Sequence, residues 1–181
     1  MNIKQIFQED YPDNKKTIFS YKSNYFYDVK FKTKNHDDGW IIDIIKKTFS
    51  KVFVKNIEGV VFDNNIDNAE YFIALNNNNV EVGWICVIYQ KWNNLARLWD
   101  IEVDERYRNQ GIGKELLDFA EGRAKKWNCR ALTLECQSSN FPAISFYRKN
   151  GFNLTGTDLI AYSNEDIKKC EVKLEMSKKI D

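Results

Sequence analysis

A short polar turn at residues 108–114 combines two glycines with two basic side chains, Arg108 and Lys114. The segment before it, residues 98–103, alternates apolar and polar side chains and predicts a strand. The segment after it repeats apolar residues at i, i+4 spacing and predicts a helix over residues 111–127. Glycines let the backbone approach a ligand, and the free N–H groups and dipole of a helix N-terminus attract anions. The sequence therefore predicts an anion site at this turn.

Two common phosphate-binding patterns do not fit this turn. The dinucleotide pattern G-x-G-x-x-G requires a third glycine where Leu116 stands. The P-loop pattern requires a glycine five positions before Gly113, and a serine or threonine where Glu115 stands. The pattern that does fit is [R/Q]-x-x-G-x-[G/A], which begins at Arg108 and ends at Gly113.

The composition favours one soluble globular domain. The chain has 181 residues, of which 43 % are hydrophobic and 29 % charged. A formal net charge of +1 argues against a nucleic-acid partner bound through broad electrostatics. No apolar run is as long as a bilayer span, and the N-terminal residues lack the apolar core of a signal peptide. We therefore expect a cytoplasmic protein without a membrane partner.

The cysteines are expected to be buried reduced thiols. No two of them have C-x-x-C spacing, and the one histidine, His36, is far from all of them in the sequence and is expected at the surface. No metal is therefore expected. The four cysteines are Cys86, Cys129, Cys136 and Cys170.

The first third of the chain gives weaker signals. Residues 1–20 are polar and mixed, and their pattern predicts only an arm with no defined element. Alternating apolar residues predict a first strand at residues 25–34. Asp37 or Asp38 is a suitable cap for a following helix. The inner face of that helix would carry Trp40, Ile41, Ile44, Ile45, Thr48 and Phe49.

Residues 51–69 are ambiguous. Their default interpretation is a solvated loop or a short helix. The functional alternative is an acidic surface that faces a cationic substrate. The acidic residues concerned are Glu58, Asp63, Asp67 and Glu70.

The centre of the chain predicts an antiparallel meander, because asparagine turns separate three apolar segments. A helix and a further strand follow, and a strand–helix–strand unit places its two strands parallel. The predicted strands cover residues 71–75, 80–92, 95–104 and 131–137.

The last quarter predicts a helix and two strands. Asn140 is a plausible helix cap, Pro142 suits a first turn, and Gly151 is a typical helix stop. The strands cover residues 152–163 and 171–177. The predicted order is β-α-β-β-β-α-β-α-β-β, an α/β (α+β) fold with a mixed sheet.

Residues 140–152 form a second motif, N-F-P-A-I-S-F-Y-R-K-N-G-F. This resembles the C-terminal signature of the GNAT N-acetyltransferases, N-x-x-A-x-x-F-Y-x-x-x-G-F, at every specified position. The turn that begins at Arg108 resembles the pyrophosphate-binding turn with which the same superfamily holds acetyl-CoA. The resemblance implies one GNAT domain over residues 1–181. Its sheet would be mostly antiparallel, with one parallel pair of strands splayed around the coenzyme and helices on both faces.

A narrower resemblance is to the streptothricin (nourseothricin) N-acetyltransferases, which acetylate an amine on the β-lysine arm of a cationic antibiotic. One departure is Trp99, which stands where these enzymes often carry another acid. The matching positions are Val82-Gly83, Trp92-Asn93, Asp100-Ile101-x-Val103, Leu134-Glu135-x-Gln137, Asn140, Phe146-Tyr147, Gly151-Phe152, Asp158 and Tyr162.

The resemblance implies direct attack of a substrate amine on the acetyl thioester, without a metal. The motif position of Tyr147 implies that its phenol protonates the leaving thiolate. Asp100 matches the family position of an acid that deprotonates the amine, directly or through water, or that holds the ammonium; Glu102 matches less clearly. Asp100 and Glu102 share one face of a regular strand, and a bulge would separate them.

The coenzyme is expected to contact the strand end through backbone groups, the turn through backbone N–H groups and flanking charges, and Asn140 through its side chain. The predicted coenzyme-binding residues are Ile101, Glu102, Val103, Arg108, Asn109, Gln110, Gly111, Ile112, Gly113, Lys114, Asn140, Ala143 and Phe146.

The cationic substrate is expected to contact Trp99, Glu135 and Asp158, although isolated acids are more often solvated surface groups. Most aromatic residues in strands pack in the core or against a neighbouring strand. The same is therefore expected of Trp84, Trp92 and Trp99.

The leading functional hypothesis is an acetyl-CoA-dependent N-acetyltransferase for a small cationic amine of the streptothricin type. Polyamines, aminoglycosides and protein N-terminal amines are alternative acceptors. A domain that binds acyl-CoA without catalysis, as a sensor, is the alternative from another class. The presence of both Tyr147 and Asp100 argues against that sensor. The resemblance also allows a homodimer, because many GNAT enzymes dimerise.

Overall fold

The computed structural model describes residues 1–11, 13–34 and 38–180, and these ranges contain nine strands and three α-helices. In chain order the elements are β1 (Asn2–Ile6), β2 (Lys16–Thr33), β3 (Trp40–Val60), β4 (Ala69–Leu75), β5 (Glu81–Gln90), β6 (Leu95–Val103), α1 (Ile112–Lys126), β7 (Ala131–Gln137), α2 (Phe141–Lys149), β8 (Asn153–Asp158), α3 (Asp166–Lys169) and β9 (Lys173–Lys179).

The strands form two sheets, one of seven strands in the order β1-β4-β5-β6-β7-β9-β8 and one of β2 and β3. By its internal contacts the chain divides into two compact units. The first comprises Met1–Phe19, Ile57–Leu134 and Ser177–Asp181, and the second comprises Ser20–Asn56 and Glu135–Met176.

The first unit is built on the antiparallel strands β1, β4, β5 and β6. β7 joins β6 in parallel, with a register that runs from Leu95↔Ala131 to Arg97↔Thr133. The predicted meander and the parallel strand–helix–strand unit are both confirmed.

The two faces of this sheet have different covers. Helix α1 covers one face, where Phe119 packs edge-on against Phe72 with ring centroids 4.7 Å apart. The opposite face buries Trp84 and Cys86 among residues from β1, β4 and the segment after β3. The indole N–H of Trp84 donates to Thr17 Oγ1 (3.3 Å). Residues 1–20, for which the sequence predicts no element, therefore supply β1 and part of this cover.

The second unit contains the helices α2 and α3 and packs around Ile144, Phe152 and Leu174. Asp166, which is 1 % exposed, holds the turn before α3. Its carboxylate accepts hydrogen bonds from the backbone N–H of Tyr162 (2.8 Å) and the hydroxyl of Ser163 (2.7 Å).

The helix predicted after residue 37 is wrong, because Trp40–Val60 is a single strand. Apolar spacing in residues 40–49 fits a helix, but β-branched isoleucines lose less freedom in a strand. Phe49 packs against Phe26 (4.5 Å) and Phe53 (5.0 Å), which fixes one face of the long β2–β3 ribbon. Asp38 therefore precedes a strand, and the alternative cap Asp37 lies outside the described residues, as does His36.

The interpretation of residues 51–69 as a loop or short helix is also wrong in its first half, since β3 continues to Val60. The four acids of the proposed acidic surface are divided among β3, the loop that follows and β4. Glu70 forms an ion pair with Arg123 (2.6 Å) on the face covered by α1.

The tryptophan prediction is confirmed only for Trp84, which is 3 % exposed. Trp92 lies in a 3₁₀ turn and is 86 % exposed, and Trp99 is 42 % exposed on β6. In the last quarter, the strand predicted over residues 152–163 is too long, because β8 ends at Asp158. The Asp158 carboxylate accepts from the backbone N–H of Ile160 (3.1 Å) in the turn that follows.

Three cysteines are buried and Cys170 is half-buried, and all four are free thiols. Within the described ranges, no cluster of histidine, cysteine and acidic residues is arranged to hold a metal ion. No helix in those ranges is long and apolar enough to cross a membrane.

Candidate active site

The glycine turn lies between β6 and α1, as predicted. Gly111 precedes the first residue of α1 with φ +88°, and Asn109 also has a positive φ of +62°. The first helical hydrogen bond runs from the Glu115 N–H to the Gly111 carbonyl (3.1 Å), so the amides between these residues have no acceptor within the helix. No heavy atom lies within 4 Å of the place where a Cβ on Gly111 would stand. The turn therefore presents backbone donors and open space to an anion.

The two basic side chains beside the turn contact acids of the protein itself. Arg108 donates from Nε to the Val103 carbonyl (2.9 Å) and from Nη2 to Glu102 Oε1, which ties the turn to the end of β6. Lys114 pairs with Asp118 one helical turn later. Burial raises the pKa of the Glu102 carboxyl, and the hydrogen bond and charge of Arg108 oppose that rise.

A bulge in β6 decides which way Asp100 faces. Val87 is paired with Leu98, but its neighbour Cys86 is paired with Asp100, so Trp99 is the extra residue on β6. In a regular strand, Asp100 would share the α1 face with Leu98. The bulge instead moves Asp100 to the opposite face of the sheet.

The bulge leaves Asp100 and Glu102 on the same face, since their partners on β5 are Cys86 and Trp84. A bulge between Asp100 and Glu102 would separate these two acids, but the observed bulge lies at Trp99, before both of them. β5 and β6 also approach closely at the strand end, where a Cβ on Gly83 would come within 2.6 Å of the Glu102 carbonyl. Only glycine fits there, and the backbone at residues 101–103 is held against β5.

The second unit carries the other motif. The Asn140 carboxamide accepts from the Ala143 N–H (3.2 Å) and caps α2, as predicted. Tyr147 is 7 % exposed and packs edge-on against Phe146 (5.4 Å) and against Phe152 (5.9 Å). The motif therefore places a buried phenol on a short, well-capped helix.

Glu135 is part of a polar network in the second unit. It accepts from the phenol of Tyr162 (3.1 Å) and forms an ion pair with Lys173 (3.2 Å), which also contacts Glu175 (3.0 Å). Burial and the charge of Glu135 raise the pKa of Tyr162, so its phenol stays protonated and donates. Asp158, another of the predicted substrate residues, is exposed, and its carboxylate accepts from the Ile160 N–H in the turn after β8.

Several polar contacts near the predicted residues were missed from the sequence. Strand pairing between distant segments brings Lys173 to Glu135. It also places Tyr71 opposite Cys86, which in turn is paired with Asp100. One signal was available: Tyr162 appears in the streptothricin-type pattern, and the structure joins it to Glu135.

The comparisons with known proteins agree with this architecture. The model of the acetyltransferase (GNAT) family matches residues 3–152, and the chain belongs to that family. Its fold is the mixed α/β GNAT fold, with a mostly antiparallel sheet and the parallel pair β6–β7.

Individual relatives are similar at modest identity. The chain is 35 % identical over 95 residues to a streptothricin acetyltransferase of Streptomyces lavendulae, which covers 52 % of this chain and 50 % of that protein. It is 34 % identical over 123 residues to streptothricin acetyltransferase A of Bacillus subtilis (strain 168), covering 66 % and 69 %. The match thus spans only half the length of the Streptomyces lavendulae relative.

A solved structure extends the similarity over nearly the whole chain. A protein of Bacillus anthracis str. Ames, crystallised in complex with acetyl coenzyme A, superposes with a TM-score of 0.76 and is 29 % identical. The superposition covers 99 % of this chain and 98 % of that one.

Proposed function

We propose that this protein is an acetyl-CoA-dependent N-acetyltransferase that acetylates a primary amine of a small cationic molecule of the streptothricin type. The observation that carries the proposal is the glycine turn at the N-terminus of α1, with Gly111 at φ +88° and open space before it. The family to which the chain belongs and the coenzyme in the similar Bacillus anthracis structure support this reading of the turn.

The turn is proposed to bind the pyrophosphate through the backbone N–H groups of residues 111–114. Arg108 contributes by holding the turn against β6, through Glu102 and the Val103 carbonyl. The backbone of residues 101–103 is proposed to bind the acetyl carbonyl and the pantetheine arm. Asn140 is proposed to reach the pantetheine amides in addition to capping α2.

The chemistry of amine acetylation poses three tasks. An alkylammonium with a pKa about 10 is only about 0.1 % free base at pH 7, so a group must take or share its proton. We assign this task to Asp100. The developing oxyanion needs a donor, which the backbone of residues 101–103 supplies. The leaving thiolate needs a proton, which we assign to Tyr147.

The cationic character proposed for the acceptor is supported by Asp100 and Glu135. Asp100 lies on β6, and Glu135 on β7 is already engaged with a cation, the ammonium of Lys173. Glu135 is proposed to share its two carboxylate oxygens between Lys173 and an ammonium group of the substrate. Trp99 and Asp158 complete the proposed substrate contacts.

The proposal is tested by following free thiol released from acetyl-CoA in the presence of separate amines. The panel comprises streptothricin, spermidine, an aminoglycoside and a peptide with a free N-terminus, with acetyl-CoA alone as the hydrolysis control. Release is expected to be fastest with streptothricin, and cells that express the chain should resist nourseothricin. Tight acetyl-CoA binding without release for any amine would contradict catalysis and favour a sensor.

Replacing Gly111 by alanine tests the turn itself. A positive φ costs an L-residue about 1–2 kcal/mol. In the Gly111→Ala variant the turn must therefore either move its backbone N–H groups or keep a strained conformation. We expect the dissociation constant for coenzyme A to rise about tenfold, a change of about 1.4 kcal/mol in binding free energy. Isothermal titration measures it.

The matched control is Gly122→Ala, at an open position inside α1 where nothing lies within 4 Å of a new Cβ. Alanine should stabilise the helix there by about 1 kcal/mol and leave coenzyme A binding unchanged. Equal affinities in both variants would contradict the assigned role of Gly111.

A further inference from the structure

We infer that Tyr71 and Cys86 are positioning residues for Asp100, joined to it in one hydrogen-bonded row across three adjacent strands. The inference rests on the proposed function, because it gives a role to the acid assigned to the substrate amine. It adds two residues that the sequence motifs do not contain.

The register of the strands builds this row. Tyr71 on β4 is paired with Cys86 on β5, and Cys86 is paired with Asp100 on β6. Directly opposed residues have Cβ atoms about 4.5–5.5 Å apart and point to the same face of the sheet. The bulge at Trp99 is what brings Asp100 into the row, because a regular strand would place Trp99 opposite Cys86.

Hydrogen-bond donors run in one direction along the row. The Asp63 backbone N–H donates to the Tyr71 phenol oxygen (3.1 Å), so the phenol hydrogen is free to be donated onward. The interaction between the two side chains raises the pKa of the phenol and opposes the rise in the pKa of the Cys86 thiol, the pattern expected when the phenol donates to the sulfur. Two acids act on the thiol through their charge, Asp100 more strongly than Asp63. With the sulfur accepting from Tyr71, the inferred acceptor of the thiol hydrogen is Asp100, because it is the direct strand partner of Cys86.

Burial keeps both intermediate groups protonated. Cys86 is fully buried, and burial together with the charge of Asp100 raises the pKa of its thiol. Burial raises the pKa of Tyr71 to about 12. Both groups are therefore neutral donors near neutral pH. A donor to a carboxylate favours its charged form, so the row holds Asp100 ionised and fixes its orientation.

A purely structural role would treat Cys86 differently. Cys86 also packs with Trp84 and Ile88 in the core of the first unit. If Cys86 only packs, its side-chain volume is what matters. If it belongs to the row, what matters is the hydrogen that its side chain donates to Asp100. Serine and alanine separate the two roles, because both are small and only serine can donate.

The test measures the Asp100 carboxyl directly, by carbon-13 NMR titration of the full-length protein labelled at aspartate side chains. The Asp100 resonance is assigned by its loss in Asp100→Asn. We expect Cys86→Ala to raise the pKa of Asp100 by about 0.5–1 unit, and Cys86→Ser to leave it within about 0.2 unit of wild type. Tyr71→Phe should shift it in the same direction by a smaller amount. The acidic limb of the plot of kcat/KM against pH should move to higher pH by the same amount as the pKa of Asp100.

Two controls isolate the row. Cys129→Ala removes another buried thiol of the same unit, and Tyr89→Phe removes another phenol from β5, where its ring stacks on Trp127. Both should leave the Asp100 titration unchanged. Circular dichroism melts confirm that each variant is folded.

The outcomes are distinguishable from those of the proposed function. An unchanged Asp100 titration in Cys86→Ala, or equal shifts in the alanine and serine variants, would overturn the row while thiol release by wild type stands. Absence of thiol release by wild type would overturn the proposed function. The titration would then still report whether Cys86 donates to Asp100.

Discussion

Replacing Tyr147 by phenylalanine is expected to lower kcat by about 10²- to 10⁴-fold, the usual range for loss of a general acid. The phenol is buried on α2 between Phe146 and Phe152, so phenylalanine preserves the ring contacts. The fold should lose no more than the value of one hydrogen bond, about 0.5–1.5 kcal/mol. For a domain of this size that corresponds to a melting temperature lower by about 1–6 °C.

The expected effect is confined to the chemical step. The KM for acetyl-CoA and the affinity for coenzyme A should stay within about twofold of wild type, because the proposed interaction forms only as charge develops on the sulfur. Steady-state kinetics and calorimetry measure the two quantities separately.

The matched control is again Tyr89→Phe, which removes a phenol bonded to Asn94 (3.3 Å) far along β5. It should retain wild-type kcat. A Tyr147→Phe variant with unchanged turnover would remove the proton donor from the mechanism. A variant with a raised KM and normal kcat would instead make Tyr147 a binding residue.

The elements that could be predicted from the sequence are those with local signals. Asparagines end the strands of the meander, and their side chains bond their own turns, as when Asn76 Oδ1 accepts from the Val80 N–H (3.0 Å). Asn140 caps α2 through the same kind of short-range bond. These contacts involve residues close in the chain, so a single sequence contains them.

β3 shows where local signals fail. Its isoleucines fit the spacing of a helix as well as the composition of a strand, and pairing with β2 decides between them. The packing partners of β3, such as Phe26 for Phe49, come from β2 and lie outside the short window over which periodicity is measured. Periodicity alone therefore predicted the wrong element.

The site was predictable in its backbone part but not in its side-chain contacts. A strand, a glycine turn and a helix specify the donors at Gly111 without any distant partner. The direction of Asp100, in contrast, depends on a bulge that appears only when β6 is aligned with β5. Likewise, the pairing of Glu135 with Lys173 depends on strand neighbours, which the motifs do not record.

Replacing Asp100 by asparagine is expected to reduce kcat/KM for the amine by about 10²- to 10³-fold near neutral pH. The physical reason is the proton of the substrate. At pH 7 the free base of an alkylamine is disfavoured by about 4 kcal/mol, and asparagine cannot accept its proton. The loss of one carboxylate beside Cys86 should cost little stability, since the amide has nearly the same shape.

The pH dependence gives this prediction its sign. Without a base, only free amine reacts, so the rate of Asp100→Asn should rise about tenfold per unit between pH 6.5 and 9.5. The wild-type rate should rise less steeply, so the deficit narrows as pH increases. The control is Asp67→Asn, which removes an exposed acid of the same unit and should follow the wild-type profile.

The alternative role of Asp100 predicts a different pattern. If the carboxylate only holds the substrate ammonium, the Asp100→Asn variant should have a raised KM for the amine. Its rate should then depend on pH as the wild-type rate does, because in both proteins the amine loses its proton to another group. A carboxylate is a weak base for an ammonium group, so proton transfer requires the amine to be desolvated as it binds. The split between kcat and KM, read together with the slope against pH, therefore decides whether β6 carries the base or the anchor.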